Sequence, residues 1–188
     1  MATLLAMRQL LLLRHAKSSW DDPALSDHAR PLNARGRRNA MAMAQAMRDL
    51  GLVPDIVFVS SARRALQTLE ALTPFEDGAL IEPMDALYLA PWTKLLEVIQ
   101  SAPQTARSLL LVGHNPGLHE LALALVGAAG LARSGPDGRR LAEGYPTGAL
   151  AEFTIASPWR QLEPGSGRLV RFVAPRDLSA GEMPEIPA

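Results

Sequence analysis

The sequence predicts an α/β fold, a three-layer α/β/α sandwich whose mostly parallel sheet ends in an antiparallel C-terminal edge hairpin. Three observations lead there. Short continuous apolar runs, Gln9–Leu13, Asp55–Val59 and Ser108–Val112, each stop where polar residues or glycine begin. Runs of this kind suit strands buried on both faces. Longer stretches with helical periodicity lie between them, and that alternation is the signature of a parallel sheet with crossover helices. The last third then changes character, to two strand-like segments around a Pro- and Gly-containing loop.

In chain order, the first strand is followed by a helix over Ala34–Leu50, with Asn33 as its N-cap and Gly51 at C′. The second strand leads into a helix over Ala62–Leu72, which Ser61 is placed to cap. Thr93–Gln100 and Leu118–Leu125 supply two further helices on either side of the third strand. The Gly- and Arg-rich segment Leu131–Gly144 reads as a surface loop. Gly148–Ala156 and Arg168–Ala174 form the hairpin, joined through Pro164, Gly165 and Gly167. Residues from about 175 to 188, which include Pro184 and Pro187, read as a loosely attached tail. No repeat or linker divides the chain, so residues 1–188 are expected to form one domain.

Composition narrows the function classes. Of the 188 residues, 48% are hydrophobic and 20% charged, with a net charge of zero, a balance that argues for a packed core and against disorder. A pI near 6.9 gives no basic excess for nucleic-acid binding. Cysteine is absent, which excludes disulfides, thiolate catalysis and thiolate-bound metals. No apolar run approaches the roughly 20 residues that span a bilayer. Met1–Leu13 lacks a basic start and a cleavage site and is interrupted by Arg8 and Gln9, so export is not expected. A cytoplasmic protein without membrane or nucleic-acid partners is the expectation. The basic residues are seventeen Arg against Lys17 and Lys94 alone, a bias assigned to codon usage.

Ligands of open α/β sheets bind beyond the carboxyl ends of the strands. The first strand there runs into Arg14-His15-Ala16-Lys17-Ser18, the second into Ser60-Ser61-Ala62-Arg63-Arg64, and the third into Gly113-His114-Asn115-Pro116-Gly117. Each pair of cations alone reads as ordinary surface or turn chemistry. Together they place arginines and histidines on one rim, an arrangement suited to an anion and most naturally to a phosphoryl group. Arginine presents a planar fork to phosphate oxygens, and helix N-termini add free N–H donors.

These segments resemble the histidine phosphatase (phosphoglycerate mutase-like) superfamily. The resemblance rests on Arg14-His15 after a strand, on Ser60-Ser61 with Arg64-Ala65-x-Gln67-Thr68, and on Gly113-His114. Arg14-His15-Ala16-Lys17-Ser18, Arg30-Pro31-Leu32-Asn33-x-x-Gly36, Gly113-His114-Asn115-Pro116-Gly117, Pro146-Thr147-Gly148-Ala149 and Pro175-Arg176-Asp177-Leu178 are similar to its SixA-type phosphohistidine phosphatase branch. The resemblance implies that His15 is the nucleophile and becomes a phosphohistidine. It further implies that Arg14, Arg64 and His114 bind the phosphoryl oxygens. The register of the arginine motif selects Arg64 over Arg63. Ala16 stands where glycine is common after the nucleophile.

The implied chemistry is physically coherent. A nucleophilic histidine needs a neutral ring, and an unperturbed one titrates near about 6.5. Arginine charges beside it disfavour the imidazolium and stabilise the phosphoryl group in flight. Neither a cofactor nor a metal is then required. Larger members of the superfamily place a glutamate acid between the second Arg and the second His, but none aligns around Glu82-Pro83-Met84-Asp85-Ala86-Leu87-Tyr88. Asp21 is the alternative donor, standing where mutase-like members carry Asn after Trp; a solvated loop carboxylate is the plainer reading. A metal hydrolase built on His15, His28, His114 and His119 is disfavoured. His114 and His119 would sit about 140° apart on a helix, and Pro116 intervenes. Only fifty positions separate Arg64 from His114, room for a strand and a helix without an inserted lid. The expected substrate is thus a phosphorylated protein bearing phosphohistidine, at a shallow, open site. The alternatives are a small phosphorylated metabolite and, third, a non-catalytic phosphate-binding domain.

Overall fold

β1 (Arg8–Arg14) lies inside a six-stranded sheet and is built of five consecutive residues, Gln9 to Leu13, between two arginines. The structure is a computed structural model that describes residues 7–179. Parallel to β1 run β2 (Ile56–Ser60), β3 (Leu80–Met84) and β4 (Ser108–Gly113), while β5 (Leu150–Ile155) and β6 (Gly167–Val173) return antiparallel. The order is β3-β2-β4-β1-β5-β6, so the expected hairpin forms one edge. The strand expected between Arg64 and His114 is β3, an edge strand whose pattern is broken by Glu82 and Pro83.

The helices are α1 (Ala34–Asp49), α2 (Arg63–Leu72), α3 (Trp92–Gln100), α4 (Gly117–Arg133), α5 (Gly135–Glu143) and α6 (Pro175–Ser179). Strand side chains alternate between two cores. Leu11, Leu13, Val57, Val59, Leu110 and Val112 face Met43, Met47, Ala65 and Leu69 of α1 and α2. Leu10, Leu12, Phe58 and Leu111 face Leu95, Ile99, Leu121 and Leu141 of α3, α4 and α5. Period-two alternation with both faces apolar is what makes these strands read as continuous hydrophobic runs. Burying each such leucine contributes roughly 1.5–3 kcal/mol, so the sheet centre is a rigid base for whatever its strand ends carry.

Asn33 caps α1 as expected, its side chain accepting the Gly36 N–H at 2.8 Å, and Gly51 follows the helix at φ 65°. Gly36 has a second reason to be glycine: a Cβ there would lie 2.0 Å from the Lys17 carbonyl oxygen. This close approach pins the start of α1 to the loop after β1.

Three expectations are corrected. Ser61 does not cap α2; Ala62 holds that position, and the Ser61 hydroxyl is engaged by His28 Nε2 at 3.0 Å. The segment expected as a loop over Leu131–Gly144 is the end of α4 followed by α5. Pro136 stands in the first turn of α5, Leu141 is buried, and Gly138 lets the helix close on the Leu131 carbonyl. The start of the expected tail is anchored, because Asp177 accepts the Ala174 N–H at 2.7 Å and pairs with Arg140. Residues 1–6 of the Met1–Leu13 segment and the tail from residue 180 lie outside the described residues.

Candidate active site

The parallel register brings two histidines together. Arg14 pairs with Gly113 at the carboxyl ends of β1 and β4, and the His15 N–H donates to the Gly113 carbonyl at 3.1 Å. His15 and His114 are therefore the first residues beyond adjacent strands, with ring centroids 5.0 Å apart. β2 contributes Ser60, whose hydroxyl lies 2.7 Å from His114 Nε2. In the first turn of α2, Arg64 points inward and is 3% exposed, whereas Arg63 is on the exposed side.

Arg64 ties these groups together. Its Nε donates to His15 Nε2 at 3.3 Å, and Nη2 lies 3.4 Å from His114 Nδ1. Guanidinium is donor-only, so both of those ring nitrogens present lone pairs. The opposite nitrogens hold the protons: His15 Nδ1–H donates to the Ala16 carbonyl at 2.7 Å, and His114 Nε2–H to Ser60. The remaining donors of Arg64 meet Asp27, at its carbonyl (2.6 Å) and at Oδ2 (3.0 Å). Asp27 also accepts from Arg30 at 2.8 Å and from the Tyr88 hydroxyl at 2.5 Å. The Tyr88 hydroxyl and the two arginines hold this carboxyl well below the usual carboxylate range.

The rest of the arginine motif is structural. The Ala16 N–H donates to Thr68 Oγ1 at 3.0 Å, Thr68 donates to the Arg64 carbonyl, and Gln67 accepts the Leu32 N–H. These bonds fasten the loop after His15 to α2. Arg14 donates through Nη1 to the Tyr145 carbonyl at 2.7 Å, while its buried Nε has no partner. Asn115 meets the same carbonyl.

Burial is the main force on both histidines. His15, 7% exposed, is pushed down to about 4, first by burial and then by Arg64, Arg14 and Arg30, against the opposing pull of the Ala16 carbonyl. His114, 2% exposed, is pushed down to about 3 by burial, then by His15 and Arg64. Both rings are neutral at pH 7. The site is thus recessed, which corrects the expectation of a shallow, open one. As expected, between the end of α2 and the start of β4 the chain from Arg64 to His114 holds only β3, a short turn and α3. The cover comes from the loop after β1, which carries Asp27 and Arg30, and from Tyr88.

The other sequence candidates fall elsewhere. Asp21 is exposed in that loop, its N–H donating to Ser19 Oγ, and no contact joins its carboxylate to His15, Arg64 or His114. His28 stands at the margin, against Ser61 and edge-on to Tyr88. His119 donates to the Leu141 carbonyl, its ring 6.0 Å from that of Tyr145. Among the described residues no three His, Asp or Glu side chains converge as a metal site would need. Asp27 and Tyr88 escape sequence reasoning, because a loop residue thirty-seven positions from its partner leaves no spacing signal.

Comparison with known proteins bears on this geometry. The profile of the histidine phosphatase superfamily (branch 1) matches residues 10–88. A solved structure of a candidate phosphohistidine phosphatase SixA from Nakamurella multipartitia is 30% identical, covers 90% of this chain and 96% of its own, and superposes with a TM-score of 0.78. One from Agrobacterium tumefaciens is 30% identical with a TM-score of 0.74, covering 89% and 97%. An uncharacterized protein of Mycobacterium tuberculosis is 35% identical over 164 residues, 87% of this chain and 100% of its own length. The chain belongs to the histidine phosphatase superfamily, with SixA-type proteins among its structural neighbours, and is a phosphatase of the phosphoric hydrolase class.

Proposed function

We propose that the protein removes the phosphoryl group from phosphohistidine in a protein, by way of a covalent phosphohistidine on His15. The proton on Nδ1 is committed to the Ala16 carbonyl, which leaves Nε2 as the nucleophile. In the first step the Nε2 lone pair bonds to phosphorus as the P–N bond of the substrate breaks, and the departing imidazole takes a proton from water. In the second, water attacks the phosphorylated His15, releasing phosphate and restoring the neutral ring. Arg14 and Arg64 neutralise the equatorial oxygens throughout, the term that gains most in phosphoryl transfer, and His114 binds beside them as a neutral ring against Arg64. No metal is needed in this scheme.

One observation carries the choice of substrate. The carboxyl group that meets the site, Asp27, is held ionised by Arg64, Arg30 and Tyr88, so it has no proton to give a leaving oxygen. Imidazole departs from phosphorus far more readily than an alkoxide, and each factor of ten in rate is about 1.4 kcal/mol. Substrates with P–N bonds, or aryl esters after them, fit such a site better than alkyl phosphates. Phosphate release from a phosphohistidine protein, compared with phosphoserine and a sugar phosphate, tests the reading. The expected kcat/KM order is phosphohistidine well above aryl phosphate, and aryl above alkyl. Equal values for the sugar phosphate and the phosphohistidine protein would move the enzyme to small metabolites.

A further inference from the structure

A cavity of about 450 Å³ shares Arg14 with the site and is lined further by Lys17, Arg35, Asn39, Thr147 and Arg176, with Pro146, Ala174 and Pro175 completing its wall. Four cations face it and none of its lining residues is acidic, in a chain whose net charge is zero. Lys17 and Arg35 make no side-chain hydrogen bond or ion pair with described residues. The carboxylate nearest Arg176, Asp177, is 3.9 Å away and already engaged by Arg140 and the Ala174 N–H.

Stability does not explain this placement. Arg35 stands in the first turn of the sixteen-residue helix α1, where no acidic residue balances it and the helix dipole disfavours a cation. The buried Nε of Arg14 has no acceptor, and burial followed by repulsion from Arg64 lowers the pKa of this guanidinium. Like charges gathered around an accessible space cost folding energy and attract an anion. The volume is in the range of small-ligand sites and exceeds what one phosphate needs.

We infer that this cavity is a subsite for a second anionic group of the substrate, a carboxylate or phosphate carried close to the phosphoryl group being transferred, with Arg35 and Arg176 selecting for it. The inference rests on the reading of His15 as the phosphoryl acceptor, since Arg14 is shared by the two sites. On the proposed phosphohistidine substrate, the second anion is an acidic side chain flanking the modified histidine. On a small substrate it would be a second phosphate.

The test compares wild type with the Arg35→Ala/Arg176→Ala double variant on three substrates. Phosphoimidazole has no second anion, a phosphohistidine protein with acidic residues at its phosphorylation site has one on a macromolecule, and a sugar bisphosphate has one on a small molecule. The double variant is expected to keep phosphoimidazole hydrolysis within twofold. It should lower kcat/KM for the acidic phosphohistidine protein at least tenfold, mostly through KM, and flatten its salt dependence. If the bisphosphate alone is hydrolysed and shows that loss, the subsite stands and the protein-substrate reading falls. Equal losses on phosphoimidazole and on substrates with a second anion, or no loss on any of them, would overturn the subsite.

Discussion

Arg64 meets both histidines and Asp27 with one guanidinium, and each partner fixes a different degree of freedom. The bonds to Asp27 set the plane of the fork, and the histidines then find donors already aimed between them. Removing one preorganised donor costs about 3 kcal/mol in transition-state stabilisation, so Arg64→Ala should lower kcat roughly a hundredfold or more. Arg63→Ala, on the exposed side of the same turn, should change kcat less than about threefold; the reverse order in steady-state assays would put the arginine register off by one. Asp27 acts through Arg64 and is a positioning residue. Asp27→Asn should lower kcat about tenfold at little change in thermal stability, with Asp27→Glu recovering part of it; a full effect retained in the glutamate variant would refute positioning. His15→Ala should abolish turnover, because it removes the ring proposed to take the phosphoryl group. Brief exposure to labelled substrate should leave an acid-labile, base-stable phosphate on His15. Label on another residue, or undiminished turnover in His15→Ala, would refute the assignment.

At the level of elements, the site depends on where α1 and α4 begin. A Cβ on Gly117, the first residue of α4 and three beyond His114, would lie 2.0 Å from the Ala90 carbonyl oxygen. Backbone cannot yield there as a flexible side chain could. Gly117→Ala should therefore cost about 1–3 kcal/mol in urea unfolding, the range of overpacked substitutions, and lower kcat as well by displacing His114. An alanine variant of unchanged stability would mean that the start of α4 has slack. The same constraints explain what could be read in the sequence. β1, β2 and β4 are buried on both faces, so their unbroken apolar runs mark them, and the residues just past their ends mark the site. β3 lies half-exposed at the edge, where Glu82 and Pro83 are tolerated and the pattern fades. α5 begins Gly-Pro-Asp-Gly, which spells a turn in isolation; only the packed structure shows that Gly138 is small because the Leu131 carbonyl is close. Likewise, His15, Arg64 and His114 follow strand ends, whereas Asp27 sits in a long loop that Gln67 and Thr68 fasten from another helix.

Across the whole molecule, these local arrangements set how stability responds to acid. Both site histidines are neutral in the native state because burial opposes their charging, with about 4 for His15 and about 3 for His114. In the unfolded chain each binds a proton near about pH 6.5. A folded pKa below the unfolded one means that the unfolded state binds more protons between those values, so protonation favours unfolding as pH falls. The stabilisation is fully present above about 6.5. It is lost on acidification toward about 4 for His15 and about 3 for His114, at up to about 1.4 kcal/mol per pH unit for each. Urea unfolding at pH 7, 6 and 5 should show wild-type stability falling across this window. His15→Gln, which keeps polarity but cannot bind the proton, should fall less steeply by nearly one proton's worth, and His15→Gln/His114→Gln by nearly two. Arg64→Ala should move the His15 ring resonances to a higher titration midpoint, still below the free value while the ring stays buried. Inorganic phosphate should flatten the wild-type curve only if it binds the native site, and that part of the effect should vanish in Arg64→Ala. Identical slopes for wild type and both glutamine variants would show that neither ring is held neutral by the fold, and the readiness of His15 for its proposed role at neutral pH would then need another cause.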